Sequence, residues 1–125
     1  MTETSEKIMY IATKAGEDPE KAAMPFVMAI AALAMDMEAT VCLQGNGVYL
    51  AQKGYAEHMP KPGGFPPLKE LLGSFIELGG KLLVCVPCIK ERHIDENEDL
   101  VEGSRITAAG ALNLEAIAAD AVLVY

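Results

Sequence analysis

Apolar residues along this chain fall into short runs separated by polar, glycine-rich or proline-rich breaks. Ile8-Met-Tyr-Ile-Ala-Thr13 reads as a strand bounded by charged and turn residues. Residues 14–20 follow as a loop, in which Asp18-Pro19 suits a helix start, with Asp18 as N-cap and Pro19 at the first helical position. Pro25 costs a helix interior one hydrogen bond, so a kink or a fresh start is expected there. Phe26 to Met37 is helical in composition and apolar nearly all round, the mark of a helix covered on both sides. Residues 39–43 form a second strand, closed by Gln44-Gly-Asn-Gly47, with one helical turn expected over 48–52. Residues 53–67 hold four prolines and three glycines and read as a long surface loop, a kind usually functional or mobile. Leu68, Leu71, Leu72, Phe75, Ile76 and Leu78 recur at helical spacing, and Gly79-Gly80 ends that helix. Residues 81–86 are a continuous apolar strand, the pattern of a parallel strand buried on both faces. A short helix from Pro87, a brief strand at 105–108, a helix at 111–119 and a strand at 121–125 complete the order.

Strands alternating with helices predict a parallel sheet with right-handed crossovers and helices on both faces. The expectation is one α/β domain over residues 1–125, a three-layer α/β/α sandwich around a mostly parallel sheet of four to five strands. The length of 125 residues fits a single domain, and 51% hydrophobic residues supply a core without disulfide staples.

Charge narrows the partners. Ten basic against eighteen acidic residues give −8, which argues against nucleic acid or an anionic membrane as partner. Much of the excess is local: residues 91–102 hold six acids (Glu91, Asp95, Glu96, Glu98, Asp99, Glu102) and one base, Arg92. That stretch reads as a solvated, mobile loop. The N-terminal residues are polar and acidic, unlike a signal peptide. The longest apolar run, 22–35, is too short and too alanine-rich to span a bilayer. Three cysteines without an export signal suggest reduced thiols in the cytoplasm.

In parallel α/β sheets, sites form beyond the carboxyl ends of the strands. Three features fall there: Thr13-Lys14-Ala15-Gly16, Gln44-Gly45-Asn46-Gly47 and Cys85-Val-Pro-Cys88. Gly45-Asn46-Gly47 lacks the spacing and the lysine of a phosphate loop and reads as a tight turn. The cysteine pair is the sharpest of the three. It sits where a strand gives way to a helix whose exposed N–H groups favour a thiolate, and Lys90 and Arg92 add positive charge. A thiolate is the form that attacks a disulfide, persulfide or thiosulfonate. Buried, inert cysteine is the plain alternative, and Cys42 inside a strand fits it. Zinc wants four ligands, and Cys42, His58 and His93 are too scattered to complete a set with the pair, so no metal site is expected. His58 reads as solvated, while His93 is open to either role. Met24, Met28 and Met35 read as core filling.

The run Leu82-Leu-Val-Cys-Val-Pro-Cys-Ile-Lys-Glu-Arg-His-Ile94, after a helix ending in Gly79-Gly80, resembles the signature of the DsrE/DsrF-like family. The opening strand at 7–13, the turn at 47–51 and the closing strand at 119–125 are similar to that family's as well. The resemblance implies a three-layer α/β/α fold, trimers or hexamers, and sulfane sulfur carried as a persulfide on one cysteine. The family's cysteine after the third strand matches Cys85, and Cys88 matches a subgroup with a second cysteine that the relay subunits lack.

The reading is therefore a cytoplasmic sulfur carrier or sulfurtransferase-like protein without a cofactor. Cys85 holds the persulfide, and Cys88 resolves it or closes a disulfide. Lys14, Gly45, Asn46, Lys90 and Arg92 surround the substrate, and a small sulfur-carrier protein or a rhodanese is the partner. The alternatives are an oligomeric interaction protein with inert thiols and a thiol–disulfide redox module. A thioredoxin-type centre would have its cysteines after an early strand, behind a tryptophan, and this chain has no tryptophan. The apolar first helix and the few charges outside 91–102 point to self-association, with the 53–67 loop buried in the contact or folded over a neighbour's Cys85 as a lid.

Overall fold

The structure is a computed structural model describing residues 5–125; residues 1–4, part of the polar segment read above as unlike a signal peptide, lie outside it. Five strands form one sheet, all parallel, in the order β4-β3-β2-β1-β5: β1 (Lys7–Ala12), β2 (Glu38–Leu43), β3 (Lys81–Cys85), β4 (Ser104–Thr107) and β5 (Ala121–Val124). The helices are α1 (Pro19–Ala34), α2 (Leu68–Glu77), α3 (Val86–Glu91) and α4 (Ala109–Ala118).

Side chains alternate across a strand, and that alternation makes the layers. Tyr10, Ala12, Val41, Leu43, Leu82 and Val84 belong to one core with residues of α1 and α2. In it Phe26 and Phe75 meet edge to face, with ring centroids 5.5 Å apart. Met9, Cys42 and Leu83 form the opposite core, against Leu112 and Ala116 of α4 and Ala119 just beyond it. The fold is the three-layer α/β/α sandwich.

α1 starts where Asp18-Pro19 indicated, with the Asp18 carboxylate accepting from Lys21 N at 3.2 Å. It then runs unbroken to Ala34, so the expected fresh start after Pro25 does not occur. Pro25 is buried among Ala22, Ala23, Phe26, Ala29 and Ala32, and that packing offsets the single missing N–H. The helix is not covered on both sides within the chain. Met28 is 45% and Met35 67% exposed, so these two methionines do not fill the core as expected.

The acidic stretch is not a free loop either. Val101 N donates to Ala51 O at 2.8 Å and Lys53 N to Asp99 O at 2.7 Å, which lays 99–101 beside 51–53. Asp95 braces the turn, its Oδ1 accepting from Asn97 N at 2.7 Å and from Glu98 N at 3.3 Å. Carboxylates spent on local N–H groups order a segment that composition alone reads as solvated. The 53–67 loop also has internal structure, a short 3-10 turn at Ala56–His58, with Pro62 buried.

Candidate functional site

The thiol pair sits at the carboxyl end of β3. Cys85 is the N-cap of α3, and Cys88 lies in the first turn of that helix. The two sulfurs are 2.9 Å apart, both thiols are free, and both are half-buried. Pro87 lies in the first turn of the helix, where its missing N–H costs nothing.

The segment after β2 closes over the pair. Residues Gly45–Ala51 form a 3-10 helix, so Gly45-Asn46-Gly47 opens a helix where a simple turn was expected. Gly45 has φ +54°, a left-handed conformation suited to glycine, and its N–H donates to Cys88 Sγ at 3.3 Å. Gly47 packs so closely on β1 that a Cβ would collide with the Ala12 carbonyl. That contact seats the segment against the ends of β1 and β2.

Arg92, just past α3, ties the segments together. Its Nε and Nη2 donate to Asn46 Oδ1 at 3.3 and 3.0 Å, and Nη1 donates to Cys88 O at 3.1 Å. The guanidinium also lies 5.8 Å from the centroid of the Tyr49 ring. Asn46 Nδ2 donates to Glu17 Oε2 at 3.0 Å, and Ala15 N donates to Glu17 Oε1 at 2.9 Å. Burial works to raise the Glu17 carboxyl, but these hydrogen bonds and the charge of Lys14 hold it below its ordinary value. Tyr55, from the proline-rich loop, stacks on Tyr49 at 5.3 Å and accepts from Gly16 N at 3.0 Å. All three strand-end segments named from the sequence thus converge on one site.

Arg92 has no carboxylate partner among the described residues: its acceptors are an amide and a main-chain carbonyl, both neutral. A charge held next to two thiols by neutral groups favours an anion there. Burial pushes the Cys85 thiol up and contact with Cys88 adds to this; the Cys88 main-chain N–H and Arg92 offset only part. Cys42, fully buried on the α4 side, is pushed up to about 12 by burial and takes no part at neutral pH.

Of the residues expected around the substrate, Gly45 and Arg92 meet the pair, and Asn46 reaches it through Arg92. Lys14 follows β1 and acts on Glu17, while Lys90 is exposed on α3 and makes no ion pair among the described residues. His58 Nδ1 is 2.7 Å from Gly54 O, and His93 is exposed at φ +58°, so neither joins the thiols through a hydrogen bond. Glu17, Tyr49 and Tyr55 were not singled out from the sequence; no spacing signal marks them, because three separate segments bring them together. No group of three or more His, Cys, Asp or Glu among the described residues is placed to hold a metal ion. A separate cleft at the amino ends of the strands is lined by Lys7, Thr40, Lys81 and Glu115, but Lys81 and Glu115 neutralise each other at 3.1 Å. No described helix is long and apolar enough to cross a membrane.

The model of the DsrE/DsrF-like family matches residues 6–125. Uncharacterized protein MJ0989 of Methanocaldococcus jannaschii is 38% identical over 100 residues, covering 80% of this chain and 82% of that protein. Uncharacterized protein MK0008 of Methanopyrus kandleri is 33% identical over 96 residues, 77% of this chain and 74% of that protein. Among solved structures, the YchN protein of E. coli superposes with a TM-score of 0.78 at 21% identity, covering 96% of this chain and 99% of that one. MTH1491 of Methanobacterium thermoautotrophicum, titled a protein of unknown function, gives 0.66 at 11% identity with the same coverage. These two share the fold.

Proposed function

The chain belongs to the DsrE/DsrF-like family, and from that premise we propose that it is a cytoplasmic sulfur carrier or sulfurtransferase-like protein. It holds sulfane sulfur as a persulfide on Cys85, with Cys88 resolving it or closing a disulfide. The observation that carries the reading is the pair itself: two free thiols 2.9 Å apart beside a guanidinium with only neutral partners. A thiolate of the pair attacks the outer sulfur of a donor, the donor's S–S bond breaks, and the donor leaves as a thiolate, or as sulfite when it is thiosulfate. Arg92 faces the anionic sulfur left behind. A small sulfur-carrier protein or a rhodanese is the expected donor.

Incubation with thiosulfate, polysulfide or a persulfidated carrier, followed by intact-mass measurement, tests this. Wild type should gain one sulfur, removable by a thiol reductant, and the double variant Cys85→Ala/Cys88→Ala should gain none. No gain in wild type, or equal gain in the double variant, ends the proposal.

Two observations favour a second reading. The apolar outer surface of α4 and β5 suits an interaction subunit, and the upward shift of Cys85 suits inert thiols. Slow alkylation of both Cys85 and Cys88 near neutral pH would select it.

A further inference from the structure

Arg92 is held in place without being neutralised. A guanidinium carries five N–H donors, and three of those on Arg92 are used. Nε and Nη2 donate to Asn46 Oδ1 at 3.3 and 3.0 Å, and Nη1 donates to Cys88 O at 3.1 Å. Among the described residues one N–H on each terminal nitrogen has no acceptor, and no carboxylate pairs with the group.

The amide that holds Arg92 is itself fixed. Gly45 sits at φ +54° and Gly47 packs against the Ala12 carbonyl, so the main chain on either side of Asn46 has little freedom. An ionised carboxylate can only accept, and Glu17 Oε2 accepts from Asn46 Nδ2 at 3.0 Å. That bond turns Oδ1 toward Arg92. Glu17 is anchored in turn by Ala15 N, which donates to its Oε1 at 2.9 Å. The carboxylate thus stands one amide away from the guanidinium, with the charge of Lys14 acting on it.

We propose that the Glu17–Asn46 tether makes Arg92 the specificity-determining residue of the site, a cation kept available beside the thiols so that they take sulfur from a small thiosulfonate anion, thiosulfate being the simplest. The inference rests on the sulfur-carrier reading and names its donor class. The unused N–H groups belong to a planar guanidinium, which suits the oxygens of an oxyanion. Charge points the same way. A thiolate attacking thiosulfate brings one negative charge to two, and in a half-buried site that repulsion exceeds its value in water. Arg92, whose charge reaches Cys85, offsets it.

The Cys85 thiol first gives its proton to solvent. Its thiolate attacks the outer sulfur of thiosulfate, the Cys85 S–S bond forms, the donor's S–S bond breaks, and sulfite leaves with the bonding pair. Three negative charges enter and three remain, one on the persulfide and two on sulfite, so no external oxidant or reductant is consumed.

The test moves a carboxylate without removing a hydrogen bond. In the double variant Glu17→Gln with Asn46→Asp, an amide at position 17 donates to a carboxylate at position 46, which still accepts from Arg92. Net charge is unchanged, and only the neutrality of Arg92's partner is lost. Iodoacetate and iodoacetamide alkylate a thiolate by the same displacement and differ in charge, so their rate ratio at Cys85 reads the local field and cancels the thiolate fraction. Fragmentation of the tryptic peptide 82–90 assigns the label to Cys85. With the reduced chain at neutral pH, the iodoacetate-to-iodoacetamide ratio should be about tenfold lower in the double variant and in Arg92→Gln than in wild type. Sulfite release from thiosulfate should fall by at least that factor in both. An arginine that merely braced the loops would leave the ratio in the double variant unmoved. Buried Cys42 staying unlabelled reports that a variant is folded, and a double variant that fails this check is replaced by Arg92→Gln. A ratio within about threefold of wild type in the folded variant overturns the inference. Sulfur gained from a persulfidated carrier but none from thiosulfate also overturns it, and leaves the carrier reading standing. Charge-selective alkylation with no sulfur from any donor sinks the carrier reading, and the donor assignment with it.

Discussion

The three cysteines differ more in their surroundings than in their spacing. Cys42, inside an apolar strand, was legible as core, and burial pushes it up to about 12. Below the ordinary thiol range, about pH 8.5, Cys42 is neutral in both folded and unfolded chains. Above it the unfolded chain releases the proton and the folded one keeps it, so stability falls as pH rises from about 8.5 toward 12. Cys85, also raised, works in the same direction. Urea unfolding under reducing conditions should show wild type losing stability between pH 8 and pH 10.5, by roughly the linkage of these groups, and Cys42→Ala losing less. Identical losses would remove Cys42 as a cause. The hydrogen bond from Gly45 to Cys88 was not legible. It joins positions 43 residues apart and depends on a backbone angle that no residue pattern encodes.

At the level of elements the sequence was most informative, and the reason is physical. Four of the strands are apolar runs between turn residues, β4 (Ser-Arg-Ile-Thr) is not, and all five were expected with boundaries within a residue or so of those found. The start of α1 followed from Asp18 and Pro19, yet Pro25 suggested a break that packing overrides. The cap is a measurable part of that start. Asp18→Ala should lower stability by about 1 kcal/mol, seen as a shift in the urea midpoint with an unchanged slope. No shift would mean that Pro19 and the buried alanines define the helix unaided. Asn46 and Arg92 were named from the sequence, but Glu17 and the bonds that join the three were not. Glu17, Asn46 and Arg92 lie in three segments, and only their convergence makes a chain of hydrogen bonds.

Across the whole molecule the two helical layers are unequal. α1 and α2 enclose a core with no exposed gap at Phe26 or Phe75, whereas α4 has no buried residue at all. Leu114 is 70% and Ile117 80% exposed, and β5 is exposed along its length. Apolar surface of this kind is typical of subunit contacts. Self-association is therefore the expectation, with a trimer or hexamer implied by the family resemblance, read by light scattering behind size exclusion at low micromolar concentration. Leu114→Asp with Ile117→Asp should shift the mass toward monomer. A monomeric wild type would refute it.

The strand order has one more consequence, in the language of hydrogen exchange. β1, β2 and β3 have neighbours on both sides, whereas β4 is a four-residue edge strand. Its amides should therefore exchange sooner than those of the three inner strands. Thr107 of β4 is the ladder partner of Cys85, so each opening of that edge strips the flank of one sulfur. The contact between Gly45 and Cys88, on the other side of the pair, is untouched by it. Opening of the edge strand then adds to the solvent contact that half-buried Cys85 already has, and the two thiols of one short motif are flanked by different parts of the sheet.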